Sequence, residues 1–299
     1  MIYLVDASVY VFRAYYALPF EMVDRDGNPA NAVFGFARML CDLIERARPE
    51  YIAIGFDHSL TGSFRTRIYP AYKANRAPAP PGLPLQFERC FEFAGLLGLA
   101  AIGSPDYEAD DILGTLAWRM RSGGIRATFL TRDKDFTQLV REGDVLWDYG
   151  SREPQSYADV ARRFGVAPER FADYLALTGD AVDNIRGVPG IGPKTAAILM
   201  KEFASLEELY GSLERLEALP LRTPAVVRAR LVEYRDAAFL ARRLTAIACD
   251  MPLAIGADAL RRRAPDAAGL ERFFDAQGFG PLLRRQVERL AVAGLAPAA

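Results

Sequence analysis

The amino-acid sequence predicts an α/β protein with a parallel-sheet core, followed by a mostly α-helical region. Short apolar runs alternate with longer amphipathic runs through the first half of the chain, which is typical of parallel strands joined by helices. Acidic residues directly follow three of the apolar runs, at the strand ends where α/β proteins bind ligands. Beyond Tyr157 the strand signals stop and short helical patterns take over.

Composition limits the possible classes of protein. The chain has 299 residues, 51% of them hydrophobic, and a formal net charge of −1, so any nucleic-acid contact is expected from a local basic patch. The three cysteines have no paired spacing, which fits a reduced compartment. Asp6 interrupts the first apolar run, which predicts neither a signal peptide nor a membrane span. We therefore expect a cytoplasmic protein with no membrane contact.

The first two strands are predicted at residues 2–5 and 51–56, and each is followed by an aspartate, Asp6 or Asp57. Taken alone, Asp6 suits a helix cap as well as a ligand site. Two strands that both end on an aspartate favour a shared ligand site at this edge of the sheet. Between the strands, helices are predicted over residues 10–18 and 33–47.

The segment after Asp57 is basic and aromatic, and no acidic residue occurs from Thr61 to Phe87. This mixture suits single-stranded nucleic acid, because cations contact phosphates and rings stack on bases. The proline-rich run at residues 78–81 predicts an extended connection. The basic residues are Arg65, Arg67, Lys73 and Arg76, and the aromatic ones are Phe64, Tyr69 and Tyr72.

Four carboxylates lie between Asp106 and Asp111, where Ser104 and Pro105 suit the cap and first position of a helix that is predicted over residues 108–120. One or two acids would offset the helix dipole. Glu108 and Asp111, however, share one helical face, and two charges about 4 Å apart repel by roughly 4 kcal/mol near a protein surface. A hard divalent cation with oxygen ligands would neutralise them.

Two further acid pairs occur later in the chain. A strand predicted at residues 127–131 is followed by Asp133 and Asp135. Asp180 and Asp183 are spaced as one face of a predicted helix. A fourth strand is predicted at residues 145–147.

A glycine-rich turn separates two predicted helices, the second of which begins at Pro193. It does not match a Walker phosphate loop, because Pro193 separates the last glycine from Lys194 and the preceding segment is predicted to be helical. Its backbone N–H groups and the helix N-terminus suit a phosphate, and Lys194 adds charge. A plain interhelical turn is the alternative, although it needs fewer glycines and prolines than occur here. The glycines are Gly187, Gly190 and Gly192.

Carboxylates from all of these places are expected to meet in one cleft. Two Mg²⁺ ions, or Mn²⁺ as a substitute, would explain so many acids and would catalyse displacement at phosphorus. With a basic, aromatic segment in the same chain, the simplest substrate is a nucleic acid. The nine candidate ligands are Asp6, Asp57, Glu108, Asp110, Asp111, Asp133, Asp135, Asp180 and Asp183.

The motifs closely resemble the 5′ nuclease domain of bacterial DNA polymerase I and the related freestanding 5′→3′ exonucleases and flap endonucleases. The resemblance runs in order over nearly the whole chain, and the chain ends where such a domain is expected to end, without a polymerase. The motifs are Leu4-Val5-Asp6, Ala32 to Phe36, Phe56-Asp57, Phe64-Arg65, Tyr72 to Arg76, Tyr107 to Asp111, Thr131 to Asp135, and Leu177 through Gly192.

The resemblance implies a PIN-like nuclease core over residues 1–155, with a helical arch at about residues 61–90. It implies a helical DNA-binding region over residues 156–299, with a helix-three-turn-helix at about residues 174–203 that grips duplex DNA and binds K⁺.

The resemblance also implies roles for individual residues. Asp6, Asp57, Glu108, Asp110 and Asp111 would form the first metal site, and Asp133, Asp135, Asp180 and Asp183 the second. Lys73, Arg76 and Arg13 would stabilise charge on the phosphate. The DNA contacts would be Phe64, Arg65, Tyr72, Gly187, Gly190, Gly192 and Lys194.

The sequence thus predicts a monomeric, Mg²⁺-dependent, structure-specific 5′ nuclease that cleaves DNA at 5′ flaps, nicks or 5′ ends, in replication or repair. A PIN-like ribonuclease is one alternative, although it would not need the glycine-rich turn or the basic segment. A non-catalytic, structure-specific DNA-binding protein is another, which a missing acid would favour.

Overall fold

The computed structural model describes residues 1–57, 62–150 and 152–293, which form two compact units. Unit 1 comprises residues 1–57, 78–132 and 249–293. Unit 2 comprises residues 62–77, 133–150 and 152–248. The predicted division near residue 155 stays a prediction, as does an arch at about residues 61–90, whose first residue lies outside the described residues.

The strands are β1 (Ile2–Asp6), β2 (Tyr51–Asp57), β3 (Ala100–Ser104), β4 (Ala127–Leu130), β5 (Val145–Trp147), β6 (Gln155–Ser156), β7 (Gly179–Asp180) and β8 (Ile185–Arg186). The α-helices are α1 (Ala7–Ala17), α2 (Asn31–Ala47), α3 (Phe64–Ile68), α4 (Leu83–Leu96), α5 (Ala109–Ser122), α6 (Tyr157–Phe164), α7 (Phe171–Thr178), α8 (Pro193–Glu202), α9 (Leu206–Gly211), α10 (Pro224–Glu233), α11 (Arg235–Thr245), α12 (Ala267–Gln277) and α13 (Pro281–Ala293). Short 3₁₀ helices span Lys134–Leu139, Pro168–Arg170, Leu213–Ala218 and Ala257–Leu260.

Unit 1 is a parallel sheet with strand order β3-β2-β1-β4, which confirms the predicted α/β class. Strand β1 is almost fully buried, as the apolar run at residues 2–5 predicts. The register pairs Asp6 with Gly55 and Asp57 with Ser104, so these residues lie along one edge of the sheet. Helix α12 packs on α4, and α13 packs on α2.

Unit 2 is mostly helical, as the sequence predicts. Its core contains Phe171, Leu177, Met200, Phe203 and Leu231, all fully or almost fully buried. Strands β5 and β6 form an antiparallel pair, and β7 and β8 form a second, two-residue pair between α7 and α8. Among the described residues, no helix is both long enough and apolar enough to cross a membrane.

Three local predictions were wrong. Ser104 does not cap helix α5, because it ends strand β3 and its hydroxyl accepts the N–H groups of Asp106 and Tyr107; the helix itself, predicted over residues 108–120, spans Ala109–Ser122. Strand β3 itself was not predicted, since it contains a single β-branched residue, Ile102. Asp180 lies in a strand and not on a helical turn, because helix α7 ends at Gly179, where φ is 75°.

Candidate functional site

Two carboxylates lie at the carboxyl edge of the unit 1 sheet. Asp6 is 6% exposed and its Oδ2 accepts a hydrogen bond from the Thr131 hydroxyl at 2.8 Å. Asp57 Oδ2 accepts one from the Ser8 hydroxyl at 2.6 Å. Because neighbouring parallel strands end at the same edge, the register of the sheet brings the two aspartates to one place.

The first turn of α5 adds three more acids to the same edge. The backbone N–H of Ala109 donates to Asp57 Oδ1 at 2.9 Å, which fixes the start of the helix at the end of β2. Glu108 N–H donates to Asp111 Oδ2 at 3.1 Å, and Asp111 N–H donates to Asp110 Oδ1 at 2.7 Å. Asp6, Asp57, Glu108, Asp110 and Asp111, the predicted first metal set, therefore all belong to one edge of unit 1.

Unit 2 contains the second acid group. Asp133 caps the 3₁₀ helix Lys134–Leu139, and its Oδ1 accepts the N–H of Asp135 at 2.9 Å. One carboxylate oxygen each from Asp135, Asp180 and Asp183 lies within 4.8 Å of the others. This distance suits shared coordination of one hard cation by oxygen ligands.

Lys134 lies beside the cluster of three carboxylates. Its Nζ is 2.5 Å from Asp180 Oδ2 and 3.3 Å from Asp135 Oδ1. Burial lowers the pKa of Lys134, but the charges of Asp135 and Asp180 outweigh burial and raise it. Lys134 is not among the predicted site residues, although its place between Asp133 and Asp135 in the sequence was a signal for it.

The Asp135 carboxylate lies in surroundings that disfavour its charged form. Burial, followed by the charge of Asp133, raises the pKa of Asp135 to about 8. Its buried Oδ1 forms no hydrogen bond within the described part of the chain. Lys134 Nζ is near this oxygen as an ion-pair partner only. A buried oxygen without a donor, in a set made of carboxylates, fits a hard divalent cation such as Mg²⁺ or Mn²⁺.

Cationic side chains from the basic segment also reach this cluster. Arg76 Nη2 is 2.6 Å from Asp183 Oδ1, and Lys73 Nζ is 3.9 Å from Asp183 Oδ2. Lys73 has a left-handed backbone with φ 55°, which is unfavourable for a lysine, and its N–H donates to the Asp183 carbonyl at 3.0 Å. The Asn184 amide donates to the Ala71 carbonyl at 2.7 Å, so both segments hold the turn in place. Arg13, the third predicted cation, lies in unit 1 beside the ring of Tyr10.

Two predicted DNA contacts have structural roles instead. Arg65 is 1% exposed, and its guanidinium donates to the carbonyls of Leu244 and Ala246 at the end of α11. Tyr72 is 4% exposed, and its hydroxyl donates to Asp183 Oδ2 at 3.2 Å. Both are therefore corrected to internal supports of unit 2, because a buried guanidinium or ring is not accessible to DNA. Phe64 is partly exposed beside Arg65.

The glycine-rich turn joins the β7–β8 pair to α8. A side chain at Gly187 would collide with the backbone of Gly179 and Leu177, and Gly190 has φ 87°, so glycine is required at both positions. Gly192 has open space around it and an ordinary φ, so no such requirement applies there. Lys194 is exposed in the first turn of α8.

Two family models together match residues 1–268 of the chain. The family model described as the 5′-3′ exonuclease N-terminal resolvase-like domain matches residues 1–165, and that of the 5′-3′ exonuclease C-terminal SAM fold matches residues 166–268. The fold and these matches define the chain as a nuclease.

The chain belongs to the 5′-3′ exonuclease family. It is 32% identical over 253 residues to a 5′-3′ exonuclease of Buchnera aphidicola, covering 84% of this chain and 88% of that protein. It is 40% identical over 281 residues to the thermostable DNA polymerase I of Thermus filiformis, covering 94% of this chain. The chain spans only 32% of the length of that polymerase and 28% of the DNA polymerase I of Rhizobium leguminosarum.

Solved structures share the fold. A zinc-bound 5′-exonuclease of phage T5 has a TM-score of 0.67 and 20% identity, covering 93% of this chain and 99% of that one. A T5 flap endonuclease in complex with DNA and metal ions has a TM-score of 0.63 and 19% identity, covering 97% of this chain and 99% of that one.

Proposed function

We propose that the chain is a Mg²⁺-dependent, structure-specific 5′ nuclease that hydrolyses DNA phosphodiesters at 5′ flaps, nicks or 5′ ends. The observation that carries the proposal is that each unit has its own set of carboxylates. In unit 2, one oxygen each from Asp135, Asp180 and Asp183 lies within 4.8 Å of the others. Membership of the 5′-3′ exonuclease family supports the proposed direction of cleavage.

The two acid groups are proposed to serve one reaction. Asp6, Asp57, Glu108, Asp110 and Asp111 would hold one divalent cation directly or through water, and Asp133, Asp135, Asp180 and Asp183 would hold a second. When bound, such cations lower the pKa of water and stabilise a leaving oxygen. The carboxylates supply fixed negative charge that keeps the cations in place, and Mn²⁺ has the same preference for oxygen ligands.

Lys73 and Arg76 are proposed to stabilise charge that develops on the phosphate. Both already lie beside Asp183, at 3.9 and 2.6 Å, so little reorganisation would bring them to an anion there. Arg13 is proposed for the same role, on the resemblance alone. The strained backbone of Lys73 supports a role that depends on where its side chain is placed.

Duplex DNA is proposed to bind the turn before α8. Gly187 lets the backbone pass close to Gly179 and Leu177, Gly190 adopts a positive φ of 87°, and the exposed Lys194 adds charge at the helix N-terminus. Gly192 and a K⁺ ion are carried over from the resemblance, as is base stacking by Phe64. Monomeric state, cytoplasmic location and a role in replication or repair likewise stay predictions.

Cleavage of a labelled 5′-flap duplex tests this proposal. We expect a product with a 5′-phosphate when Mg²⁺ is present and none when a chelator is added. Cleavage that continues in the chelator would contradict the role of metal. Tight binding without cleavage would favour the non-catalytic DNA-binding alternative. Faster cleavage of the matching RNA flap would favour a ribonuclease.

A further inference from the structure

Unit 1 has an apolar cavity that touches the acidic edge of the sheet. Its volume is about 510 Å³, within the range of small-molecule sites, which is roughly 300–1,000 Å³. Five apolar side chains contribute to its wall, and Asp57, a proposed metal ligand, is part of the same lining. The apolar residues are Phe56, Leu83, Pro84, Phe87 and Phe91.

The aromatic wall is only partly explained by the packing of helix α4, because Phe87 packs edge-on against Phe12, with ring centroids 5.6 Å apart, whereas Phe91 stays largely exposed. The helix buries Gln86, Cys90 and Phe93 against the rest of the unit. Phe87 and Phe91 lie one turn apart on the flank of that face, and Phe91 is 42% exposed. The Phe91 ring packs edge-on against Phe56, with centroids 5.1 Å apart, so it is held as a wall of the cavity.

The charged residues that line the cavity indicate which chemical groups it can bind. Among the lining residues in the described part of the chain, Asp57 and Glu88 are charged, and both are acidic. Carboxylates repel a phosphate, but they accept hydrogen bonds from amino groups. An aromatic ring with an exocyclic amino group therefore satisfies both the apolar wall and the acidic rim.

We propose that this cavity binds an unpaired nucleobase of the cleaved strand, beside the scissile phosphate. The proposal rests on the proposed function, because Asp57 belongs both to the cavity and to the carboxylates assigned to the first cation. A base held by Phe91 and Phe87 would keep the attached phosphate near Asp57. Stacking of bases on aromatic side chains tolerates all sequences, and Glu88 would favour bases with an amino group.

Combining protein variants with a substrate that lacks one base tests whether that base stacks on Phe91. Wild type, Phe91→Ala and Trp118→Ala are compared on a 5′-flap duplex and on the same duplex with an abasic residue at the first unpaired nucleotide beside the cleaved bond. Trp118, in unit 1, is 59% exposed and lies outside the cavity lining, so it is the matched control. Single-turnover cleavage rates and melting temperatures are measured for every variant.

We expect the abasic residue to slow wild type and the Trp118→Ala variant about tenfold. Phe91→Ala should cleave the intact flap about tenfold more slowly than wild type does. It should cleave the abasic flap at the same rate as the intact one. Equal cleavage of both substrates by wild type would overturn the proposal, and so would an equal loss by Phe91→Ala on both. Failure of wild type to cut the intact flap would instead refute the proposed nuclease function.

Glu88 provides an independent arm of the test. Cytosine presents an amino donor where thymine presents a carbonyl acceptor, on rings of the same size. Wild type should cleave a flap with cytosine at the tested position about fivefold faster than one with thymine, as expected for one hydrogen bond. Glu88→Ala should remove this preference and keep the abasic penalty. A preference that survives unchanged in Glu88→Ala, or its absence from wild type, would contradict the role of Glu88.

Discussion

The acids of unit 1 and those of unit 2 are held in different ways. At the sheet edge, Asp6 and Asp57 accept hydrogen bonds from the hydroxyls of Thr131 and Ser8, and Asp57 also accepts the N–H of Ala109. In unit 2, by contrast, the ammonium of Lys134 and the guanidinium of Arg76 lie against Asp180 and Asp183. Neutral donors orient a carboxylate without competing for its charge, whereas cationic donors occupy the place that a metal ion would take.

In unit 2, a divalent ion would therefore have to exchange with the cations that already lie against Asp180 and Asp183. A divalent ion at Asp135 and Asp180 must displace Lys134 from the same oxygens. Four experiments test this contrast, and the first tests whether both groups are needed at all.

The largest effect is expected from removing one ligand in either group. Asp57→Asn and Asp135→Asn should each reduce flap cleavage on the order of 10³-fold, because a bound metal supplies several kcal/mol of transition-state stabilisation. Single-turnover rates and DNA affinity are measured for both variants, with the exposed Asp236→Asn as control. Full activity of either variant would show that the set of acids to which that residue belongs is not needed for cleavage.

The next effect is a dependence of stability on pH that is specific to unit 2. The folded-state pKa of Asp135, about 8, lies above its unfolded value of about 4. The stability that the protonated Asp135 contributes to the folded state is therefore complete below about pH 4 and is lost as the pH rises through about 8. When a chelator is present, the free energy of unfolding of Asp135→Asn should rise relative to that of wild type by on the order of 3 kcal/mol between about pH 4 and pH 8.

Denaturant unfolding between pH 4 and pH 9 measures that gain, with Asp236→Asn again as the control. Adding Mg²⁺ should reduce the difference between wild type and Asp135→Asn, because the cation stabilises the charged carboxylate. A constant difference at all pH values would show that the repulsion in unit 2 is weaker than its geometry indicates.

A smaller effect is expected from removing the ammonium of Lys134. In a chelator, Lys134→Met should lose roughly 1–2 kcal/mol of stability, a value reduced because the lysine is partly exposed. Mg²⁺ should restore the loss and should bind the variant more tightly than wild type, as measured by calorimetry. The exposed Lys194→Met is the matched control, and Mg²⁺ affinity that is unchanged in Lys134→Met would reject cation exchange.

The smallest effect is expected from a neutral donor in unit 1. Thr131→Val removes the hydrogen bond to Asp6 and keeps the shape of the side chain, so it should cost about 1 kcal/mol of stability. Loss of an orienting partner should weaken metal binding about tenfold. If Thr131→Val instead behaves like Lys134→Met and recovers fully in Mg²⁺, the contrast between the two units fails.

Much of the fold was predictable because local patterns specify it. The strands at residues 2–6, 51–57 and 127–130 are apolar runs too short for helices, and helix α2 has a strong apolar face. Strand β3 was missed because its Ala- and Gly-rich sequence has little strand preference, and it forms by pairing with β2. Ser104 belongs to this strand, so it does not cap α5, which begins at Ala109.

The acidic residues of the site could be predicted from the sequence, but most of the contacts between side chains could not. Carboxylates that follow strands are visible in the sequence, but the burial of Arg65 is not. An arginine in a basic run looks the same in sequence whether it faces DNA or two helix-end carbonyls 179 and 181 positions later. The cavity beside Asp57 was also hidden, because Phe56 and Phe91 belong to separate elements that meet only in the folded unit.

The sequence by itself determined the parallel α/β core, the helical region after it, and the acids placed at strand ends, because these follow from periodicity and residue type within short windows. Only the tertiary structure decided which cation lies beside which carboxylate, which arginine is internal, and where an aromatic cavity opens. These outcomes depend on contacts between residues far apart in the chain, and burial then sets how strongly each charge interacts.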